Sequence, residues 1–253
     1  MFADAEIVPA ADAMSRPSPE TVSPSKPKPV CSEWSLRTAC LGKDQASEEF
    51  KPLVLSRRRL KLGQRLYRSG EAFQSLYLVR SGFVKTVVLL EDGREQVTGL
   101  YMPGETLGMD GVASGRHASD AIALEDSEVC VVPYDRLETL SREVSAVQRH
   151  VHRLFSHEIV REQRMMLLLG SMRAEERVAA FLLNLSERFT ALGFSASEFV
   201  LRMTREEIGS LLGMKLETVS RIFSRLAKEG LIKIEGKHVR IVSSDGLRRI
   251  TNH

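Results

Sequence analysis

The sequence predicts an α+β protein in three successive parts: an all-β domain, one long helix, and a small helical domain that ends in a β-hairpin. Changes in the hydrophobic pattern predict this order. Short strand-like runs between glycine turns fill the first part, and from about residue 135 the apolar residues recur at helical spacing. After residue 170 two shorter helical patterns and a hairpin pattern follow.

The composition is that of an ordinary folded protein with one or two domains. The chain has 253 residues, of which 43% are hydrophobic and 27% are charged, and its formal net charge is +3. No run approaches the roughly 18 consecutive apolar residues of a membrane span. The N-terminus lacks the basic and apolar segments of a secretion signal. We therefore expect a cytoplasmic protein with no membrane partner.

The N-terminal region divides into two segments before the β domain begins. Six of the nine prolines lie in the first 29 residues, a composition that buries little apolar surface. Residues 1–30 are therefore predicted to be a disordered tail rich in Pro and Ser. Residues 31–52 form a separate segment, in which Cys31, Trp34 and Cys40 stand out.

Residues 53–134 carry the pattern of short β-strands. Runs rich in Val, Leu, Tyr and Phe, such as 75–80 and 83–88, are separated by turns that contain glycine. Turns every 8–12 residues or so are typical of an all-β sandwich or barrel.

Residues 135–169 are predicted to form one long helix. Their apolar positions follow the period of about 3.5 residues that is typical of a helix–helix seam. A helix this long has more apolar surface than a small β domain would cover, which predicts pairing with a second copy; the alternative is a helix lying on its own β domain. The predicted dimer seam comprises Val147, Val151, Leu154, Glu158, Ile159 and Glu162.

Two glutamates fall within that seam. Like charges that face each other across a two-fold axis oppose pairing, so Glu158 and Glu162 are predicted to weaken the dimer until a signal offsets their repulsion. The alternative is a pair of solvated glutamates with no such role.

Residues 170–253 are predicted to form a winged helix-turn-helix. They hold 14 Lys and Arg against 10 Asp and Glu, so the positive charge of the chain is concentrated here. Thr204 and Glu207 match a capping box that begins a helix, and Gly213 suits the turn before a second helix that starts near Lys215. A hairpin with the turn Glu235-Gly236-Lys237 supplies the wing.

The second helix divides into an apolar and a polar face. The apolar positions are Leu216, Val219, Phe223 and Leu226, and the polar face carries Glu217, Ser220, Arg221 and Arg225. Arg can donate two hydrogen bonds to guanine, and Glu can accept one from cytosine, so this face can read base edges in a major groove. The alternative is an ordinary surface helix with solvated charges. The residues predicted to contact double-stranded DNA are Thr204, Glu217, Ser220, Arg221, Arg225 and Lys237.

Nothing in the sequence indicates catalysis. There is no nucleophile motif and no glycine-rich phosphate loop. The histidines His150, His152 and His157 share the long helix without a spacing that suits a metal site. The sequence therefore predicts that the protein is not an enzyme.

The order of these parts resembles the CRP/FNR superfamily of transcription regulators, and several motifs are similar to its oxygen-responsive FNR branch. The motifs are Ser75-Leu76-Tyr77, Arg80-Ser81-Gly82, Glu95-Gln96-Val97-Thr98-Gly99, Ala174-Glu175-Glu176-Arg177 and Glu217-Thr218-Val219-Ser220-Arg221. The resemblance implies a β-roll sensor domain of jelly-roll type, a homodimer, and RNA polymerase as a partner, touched by the turn 91–94. It also implies that Glu217, Ser220 and Arg221 read a TTGAT-type palindrome.

The resemblance implies two possible kinds of ligand. Members that bind cyclic nucleotides carry a Gly-Glu pair and a later Arg-Ser pair. Gly104-Glu105 is present, but Arg116 is not followed by Ser, and Asp120 would repel a phosphate. No cyclic nucleotide is expected; the alternative is a DNA-binding regulator controlled by a small-molecule ligand such as a cyclic nucleotide, or one that is constitutive.

FNR proteins hold a 4Fe–4S cluster with three N-terminal cysteines and one cysteine in the β domain. Cys31, Cys40 and Cys130 match three of these positions, which makes them candidate ligands, but Trp34 takes the place of the middle N-terminal cysteine. A cluster with three thiolates needs another ligand for one iron. The alternatives are a reversible disulfide between Cys31 and Cys40, or cysteines without a sensing role.

Overall fold

The computed structural model describes residues 56–251. The predicted tail over 1–30 and the segment 31–52, with Cys31, Trp34 and Cys40, lie outside the described residues.

Two four-stranded antiparallel sheets form the β domain. Their orders are β1-β8-β3-β6 and β2-β7-β4-β5. The strands are β1 Ser56–Leu60, β2 Arg65–Tyr67, β3 Ser75–Ser81, β4 Val84–Leu89, β5 Glu95–Tyr101, β6 Thr106–Leu107, β7 Asp120–Ala123 and β8 Ser127–Pro133. Alternate side chains meet between the sheets, where Leu60, Val79, Val84 and Val129 are fully buried.

The single helix predicted over residues 135–169 is two helices in the structure. Helix α1 spans Tyr134–Glu143 and helix α2 spans Ser145–Ser171, and between them Val144 has extended backbone angles. The break follows from packing, because Leu76 lies on the outer face of the first sheet, where its apolar side chain would otherwise be exposed to water. By turning at Val144, the chain places both Leu137 of α1 and Val147 of α2 against Leu76.

The C-terminal part is a winged helix-turn-helix. It contains four helices, which are α3 Ala174–Ala191, α4 Arg205–Leu212, α5 Leu216–Lys228 and α6 Ser244–Thr251. It also contains a three-stranded sheet of order β10-β11-β9, whose strands are β9 Glu198–Val200, β10 Ile232–Glu235 and β11 His238–Ile241. The predicted hairpin is confirmed, with Gly236 at φ +61° in its turn. Strand β9 is an addition that the sequence pattern did not predict. No helix within residues 56–251 is long and apolar enough to cross a bilayer.

The β domain and the winged helix share one hydrophobic core. Phe83, Leu100 and Ile122 of the β domain belong to the same buried cluster as Phe199 and Met203 of the C-terminal part. The winged helix-turn-helix of residues 174–251, called the recognition unit below, is therefore packed directly on the second sheet. This packing sets where its helices lie.

Candidate nucleic-acid interface

Local sequence signals set where α4 begins and ends and how closely α5 can approach it. Thr204 accepts a hydrogen bond at Oγ1 from the Glu207 amide (3.1 Å), and the Thr204 amide donates to the Glu207 carboxylate (2.6 Å), which confirms the capping box. Gly213 ends α4 with φ +64°. A Cβ on Gly209 would lie 2.6 Å from the Met214 carbonyl, so the two helices can approach only because no side chain is there.

The apolar face of α5 anchors the helix in the core of its domain. Val219, Phe223 and Leu226 are buried there as predicted, and Ile222 joins them. Leu216 was expected on the same face, but 43% of it is exposed. It is the first residue of α5, and the buried residues all lie three or more positions further along the helix. An apolar side chain therefore stands beside the predicted base-reading residues.

The polar face of α5 presents the predicted recognition residues. Glu217 and Arg221 are exposed, and Ser220 lies between them, partly exposed. The Arg221 guanidinium donates to Thr218 Oγ1 at 3.3 Å, a contact within the helix, and makes no ion pair among the described residues. Its fork of donors stays available to a partner with acceptor groups.

Arg225 is on the same face but in a different electrostatic position. Its guanidinium lies 3.0 Å from the Glu175 carboxylate of α3 and 2.8 Å from that of Glu229. Two carboxylates of its own domain already match its charge. To contact DNA, Arg225 would have to exchange these pairs for a phosphate or a base.

Lys237 and Thr204 complete the predicted DNA-binding set. Lys237 is exposed in the two-residue turn between β10 and β11, at the tip of the wing. Thr204 is exposed at the start of α4, although its hydroxyl oxygen is used by the capping box. Sequence reasoning did not single out the neighbouring Arg205, whose guanidinium stacks 3.5 Å from the centre of the Phe223 ring and joins α4 to α5.

Much of the predicted seam of α2 faces its own subunit. Val147 is fully buried against α1 and the first sheet, and Val151 packs on the same cluster. Further along, Met165 and Leu168, which have the same spacing, pack on the shared core. The apolar positions that recur about every 3.5 residues are thus largely on the inward face of α2. The β domain and the winged helix supply the apolar surface against which this face packs.

Glu158 also faces inward. Its carboxylate accepts hydrogen bonds from the Tyr101 hydroxyl (3.1 Å) and from Arg161 (2.7 Å). Burial raises the pKa of Glu158 above its ordinary value, and Arg161 opposes that rise. Glu162 is exposed, with its carboxylate 3.6 Å from Arg161. Of the two glutamates, Glu162 is therefore the exposed one, and Glu158 is turned toward its own chain.

An exposed apolar stripe lies on the other side of α2. Ile159 and Met166 are 58% and 70% exposed, one heptad apart, and Val160 and Leu167 repeat that spacing beside them. Leu154 is half-buried. Of the predicted seam residues, Ile159 and Glu162 thus lie on this exposed side of α2. The prediction missed Val160, Met166 and Leu167, because they lie one or two positions away from the expected register.

Cys130 lies in β8 with 4% of its surface exposed, opposite Arg57 of β1 and Leu78 of β3. Within residues 56–251, no cluster of three or more His, Cys, Asp or Glu residues could hold a metal ion. The described part therefore offers one thiol toward a cluster, which fits a single ligand position. A complete ligand set would have to include Cys31 and Cys40.

The side chains considered for a nucleotide are engaged within the protein. Arg188 donates to both carboxylate oxygens of Glu105, at 2.9 and 2.6 Å. Arg116 donates to the Gly70 carbonyl at 2.7 Å, and Asp120 pairs with Arg65 at the same distance. Glu105, Arg116 and Asp120 therefore all have partners within the protein in this structure.

Two family models match the chain, one for each of its domains. The cyclic nucleotide-binding domain model covers residues 57–143, and the Crp-like helix-turn-helix domain model covers residues 176–250.

Similar proteins are transcription regulators of known families. The chain is 44% identical over 223 residues to the transcriptional regulatory protein btr of Bordetella pertussis, covering 87% of this chain and 92% of that protein. It is 38% identical over 226 residues to the fumarate and nitrate reduction regulatory protein of Escherichia coli, covering 88% and 90%. Among solved structures, FixK2 of Bradyrhizobium japonicum has a TM-score of 0.72 at 30% identity, covering 77% of this chain and 96% of FixK2.

Proposed function

Since this chain belongs to the FNR branch of the CRP/FNR superfamily of transcription regulators, we propose that it binds a palindromic DNA site as a homodimer under oxygen or redox control. One observation carries the DNA-binding proposal. Glu217 and Arg221 are exposed and Ser220 is partly exposed on a helix whose opposite face is anchored by the buried Val219, Phe223 and Leu226, so the position of the helix is set before DNA arrives.

Each predicted DNA contact has a distinct role. Arg221 donates to guanine and Glu217 accepts from cytosine, while Ser220 contacts a base or a phosphate; together they read a TTGAT-type half-site. Lys237 and the start of α4 at Thr204 contact the phosphate backbone, which positions the domain without reading sequence. Arg225 joins them by releasing Glu175 and Glu229.

The dimer forms through the exposed stripe of α2. Ile159, Val160, Met166 and Leu167 offer apolar surface at the spacing that helix pairing requires. Pairing places two recognition helices on half-sites about one turn of DNA apart, roughly 34 Å. The regulator then contacts RNA polymerase through exposed turns such as residues 91–94.

Sensing is assigned to the cysteine-containing segment and the β-roll. Cys31, Cys40 and Cys130 would hold a 4Fe–4S cluster, which would supply an oxygen-labile centre. Trp34 cannot ligate iron, so water, a carboxylate or a small molecule would complete the ligand set. Cys130 would hold its end of the site on the rigid strand β8. The rival forms of control are a reversible disulfide between Cys31 and Cys40, a small-molecule ligand, and constitutive binding.

Purification without oxygen tests the sensing proposal. We expect a brown protein with about four irons per chain that bleaches in air and then loses affinity for a TTGAT palindrome. Cys130→Ala should abolish the colour but leave half-site binding intact. Colourless protein whose thiol count falls by two in air would favour the disulfide. Colourless protein that binds DNA equally with and without air would overturn redox control.

A further inference from the structure

A partly buried polar cluster joins the middle of α2 to strand β5. The Tyr101 hydroxyl donates to Glu158 (3.1 Å) and accepts from Arg161 (2.6 Å), and Arg161 also donates to Glu158 (2.7 Å). The Arg161 guanidinium carbon lies 4.2 Å from the centre of the Tyr101 ring, so the cation also stacks on the ring face. Every member of the cluster contacts both others.

The cluster is tightly fitted. Tyr101 is 7% exposed, and the side chains of Glu158 and Arg161 are 24% and 30% exposed. A Cβ on Gly99 would lie 2.9 Å from the Tyr101 ring and 3.4 Å from Arg161, so glycine leaves the space the cluster occupies. The three mutual hydrogen bonds and the stacking on the ring favour one arrangement of these side chains, because moving any one of them breaks its contacts with both others.

The cluster determines which face of α2 is free. Successive residues in an α-helix are rotated by about 100° around its axis, so fixing Glu158 and Arg161 against β5 turns the neighbouring Ile159 outward. Met166 lies two turns further along the same exposed side. A small rotation of α2 would therefore change which side chains meet a partner helix.

The same strand also holds the recognition unit. The carbonyl of Leu100, the residue before Tyr101, accepts a hydrogen bond from Arg188 of α3 (2.7 Å), and Arg188 also pairs with Glu105. Glu105 lies close enough to Glu158 for their like charges to contribute to the raised pKa of Glu158, after the larger effect of burial. One end of β5 thus contacts the pairing helix on one side and the DNA-binding domain on the other.

We propose that Arg161, clamped between Tyr101 and Glu158, is a positioning residue that sets the rotation of α2 relative to the recognition unit held by Arg188. This inference rests on the proposed function, in which two chains bind one palindrome. Arg161 need not touch DNA or the partner. It determines whether the paired helices place both recognition helices at the spacing of the two half-sites.

The test compares three variants of the full chain, purified without oxygen. Arg161→Gln removes the cation, and Tyr101→Phe removes one hydroxyl while keeping the ring. Arg164→Gln is the matched control, because it changes an exposed arginine on the same helix. For each variant, affinity is measured for a TTGAT palindrome and for DNA with one half-site, and dimerisation is measured by sedimentation.

We expect Arg161→Gln and Tyr101→Phe to reduce the preference for the palindrome over the half-site by about tenfold, while half-site affinity changes less than about twofold. A loss of folding alone would lower both affinities together. If Arg161→Gln does not fold, Tyr101→Phe decides the outcome. Variants that match Arg164→Gln would overturn the inference and leave the proposed function standing. A wild-type chain with no preference for the palindrome would overturn both.

Discussion

At the scale of single residues, α5 carries two arginines that differ in their ion pairs. Arg221 and Arg225 are one turn apart on the same face of α5, yet only Arg225 is bound by carboxylates of its own domain. A guanidinium that is already paired must lose those contacts before it binds DNA, so its net contribution is smaller. Base readout is therefore expected to depend most on Arg221.

Arg221→Ala should weaken binding to the specific palindrome by about 1–3 kcal/mol and relax discrimination at the contacted guanine. Lys237→Ala is the contrasting variant, since a lost phosphate contact weakens binding to all sequences alike and makes the salt dependence shallower. Both effects can be measured by titrating specific and random DNA at several salt concentrations. Equal losses on both DNAs for Arg221→Ala would rule out base readout by this residue.

The exposed Leu216 predicts an apolar contribution to readout. Its side chain stands at the start of α5, beside Glu217, where it can contact a thymine methyl group. Replacing the contacted thymine by deoxyuridine should cost wild-type protein about 0.8 kcal/mol, the value of one buried methyl-sized group. Leu216→Ala should bind both DNAs equally. A variant that keeps the wild-type preference for thymine would show that Leu216 makes no such contact.

At the scale of elements, α2 has two apolar faces, for which different roles are proposed. The inward face covers the β domain and the shared core, and the outward face carries Ile159, Val160, Met166 and Leu167. A single periodic stripe in the sequence does not separate these roles, because both faces contain apolar residues at helical spacing. The outward face is the one that a partner helix can reach.

Met166→Glu should convert a dimer into monomers, since it places a charge in the exposed apolar stripe. Its effect on the free energy of unfolding of the monomer should stay within about 0.5 kcal/mol, because 70% of Met166 is exposed. Sedimentation and thermal unfolding measure the two quantities separately. Gln148→Glu, an exposed change near the other end of the helix, serves as the control. A dimer that persists in Met166→Glu would place the interface elsewhere.

Glu162→Ala should have the opposite effect on pairing. The exposed carboxylate lies beside the apolar stripe, where the same group on a partner would repel it. We expect the variant to dimerise more strongly than wild type without any signal, and the difference to shrink as salt is added. If sedimentation shows no difference at low salt, Glu162 is a solvated surface charge.

At the scale of the whole molecule, polar contacts join the β domain to the winged helix. Lys85 of β4 pairs with Glu207 of α4 at 2.7 Å, and Arg202 pairs with Glu125 at 3.1 Å. The Val97 amide of β5 donates to the Ser210 hydroxyl at 2.8 Å. Together with the shared apolar core, these contacts pack the β domain directly against the winged helix.

The Lys85–Glu207 pair predicts a pH dependence of stability. Burial acts to raise the pKa of Glu207, but hydrogen bonds from Lys85 and the Thr204 backbone outweigh it and leave the pKa below its ordinary value. A lowered pKa in the folded state stabilises the protein above the unfolded value, near pH 4.3. That stability is lost as the pH falls through the folded pKa.

Glu207→Gln should therefore be less stable than wild type at neutral pH by roughly 1–3 kcal/mol, and the difference should narrow below about pH 4.3. Thermal unfolding between neutral and acid pH measures the two curves. Glu206→Gln, an exposed neighbour on the same helix, should leave the curve unchanged. A constant difference between wild type and Glu207→Gln at all pH values would exclude the proposed linkage.

Sequence patterns were sufficient to predict those structural features that depend only on residues close together in the chain. The capping box of Thr204, the turn at Gly213 and the wing hairpin were predictable because their hydrogen bonds and backbone angles involve residues within a few positions. The division of α5 into two faces followed from helical spacing for the same reason. These features are enough to identify the winged helix-turn-helix and to place Glu217, Ser220 and Arg221 on one surface.

The sequence by itself therefore determined the order of the domains, the fold class and the polar face of α5. Tertiary structure decided which apolar face of α2 is free, how far Leu216 is exposed, and that Arg225 and Glu158 are paired within the subunit. It also decided that β5 contacts both α2 and α3. The physical reason is that exposure and pairing depend on contacts between residues far apart in the sequence. A periodic pattern shows only that one face of a helix is apolar, and does not show what packs against it.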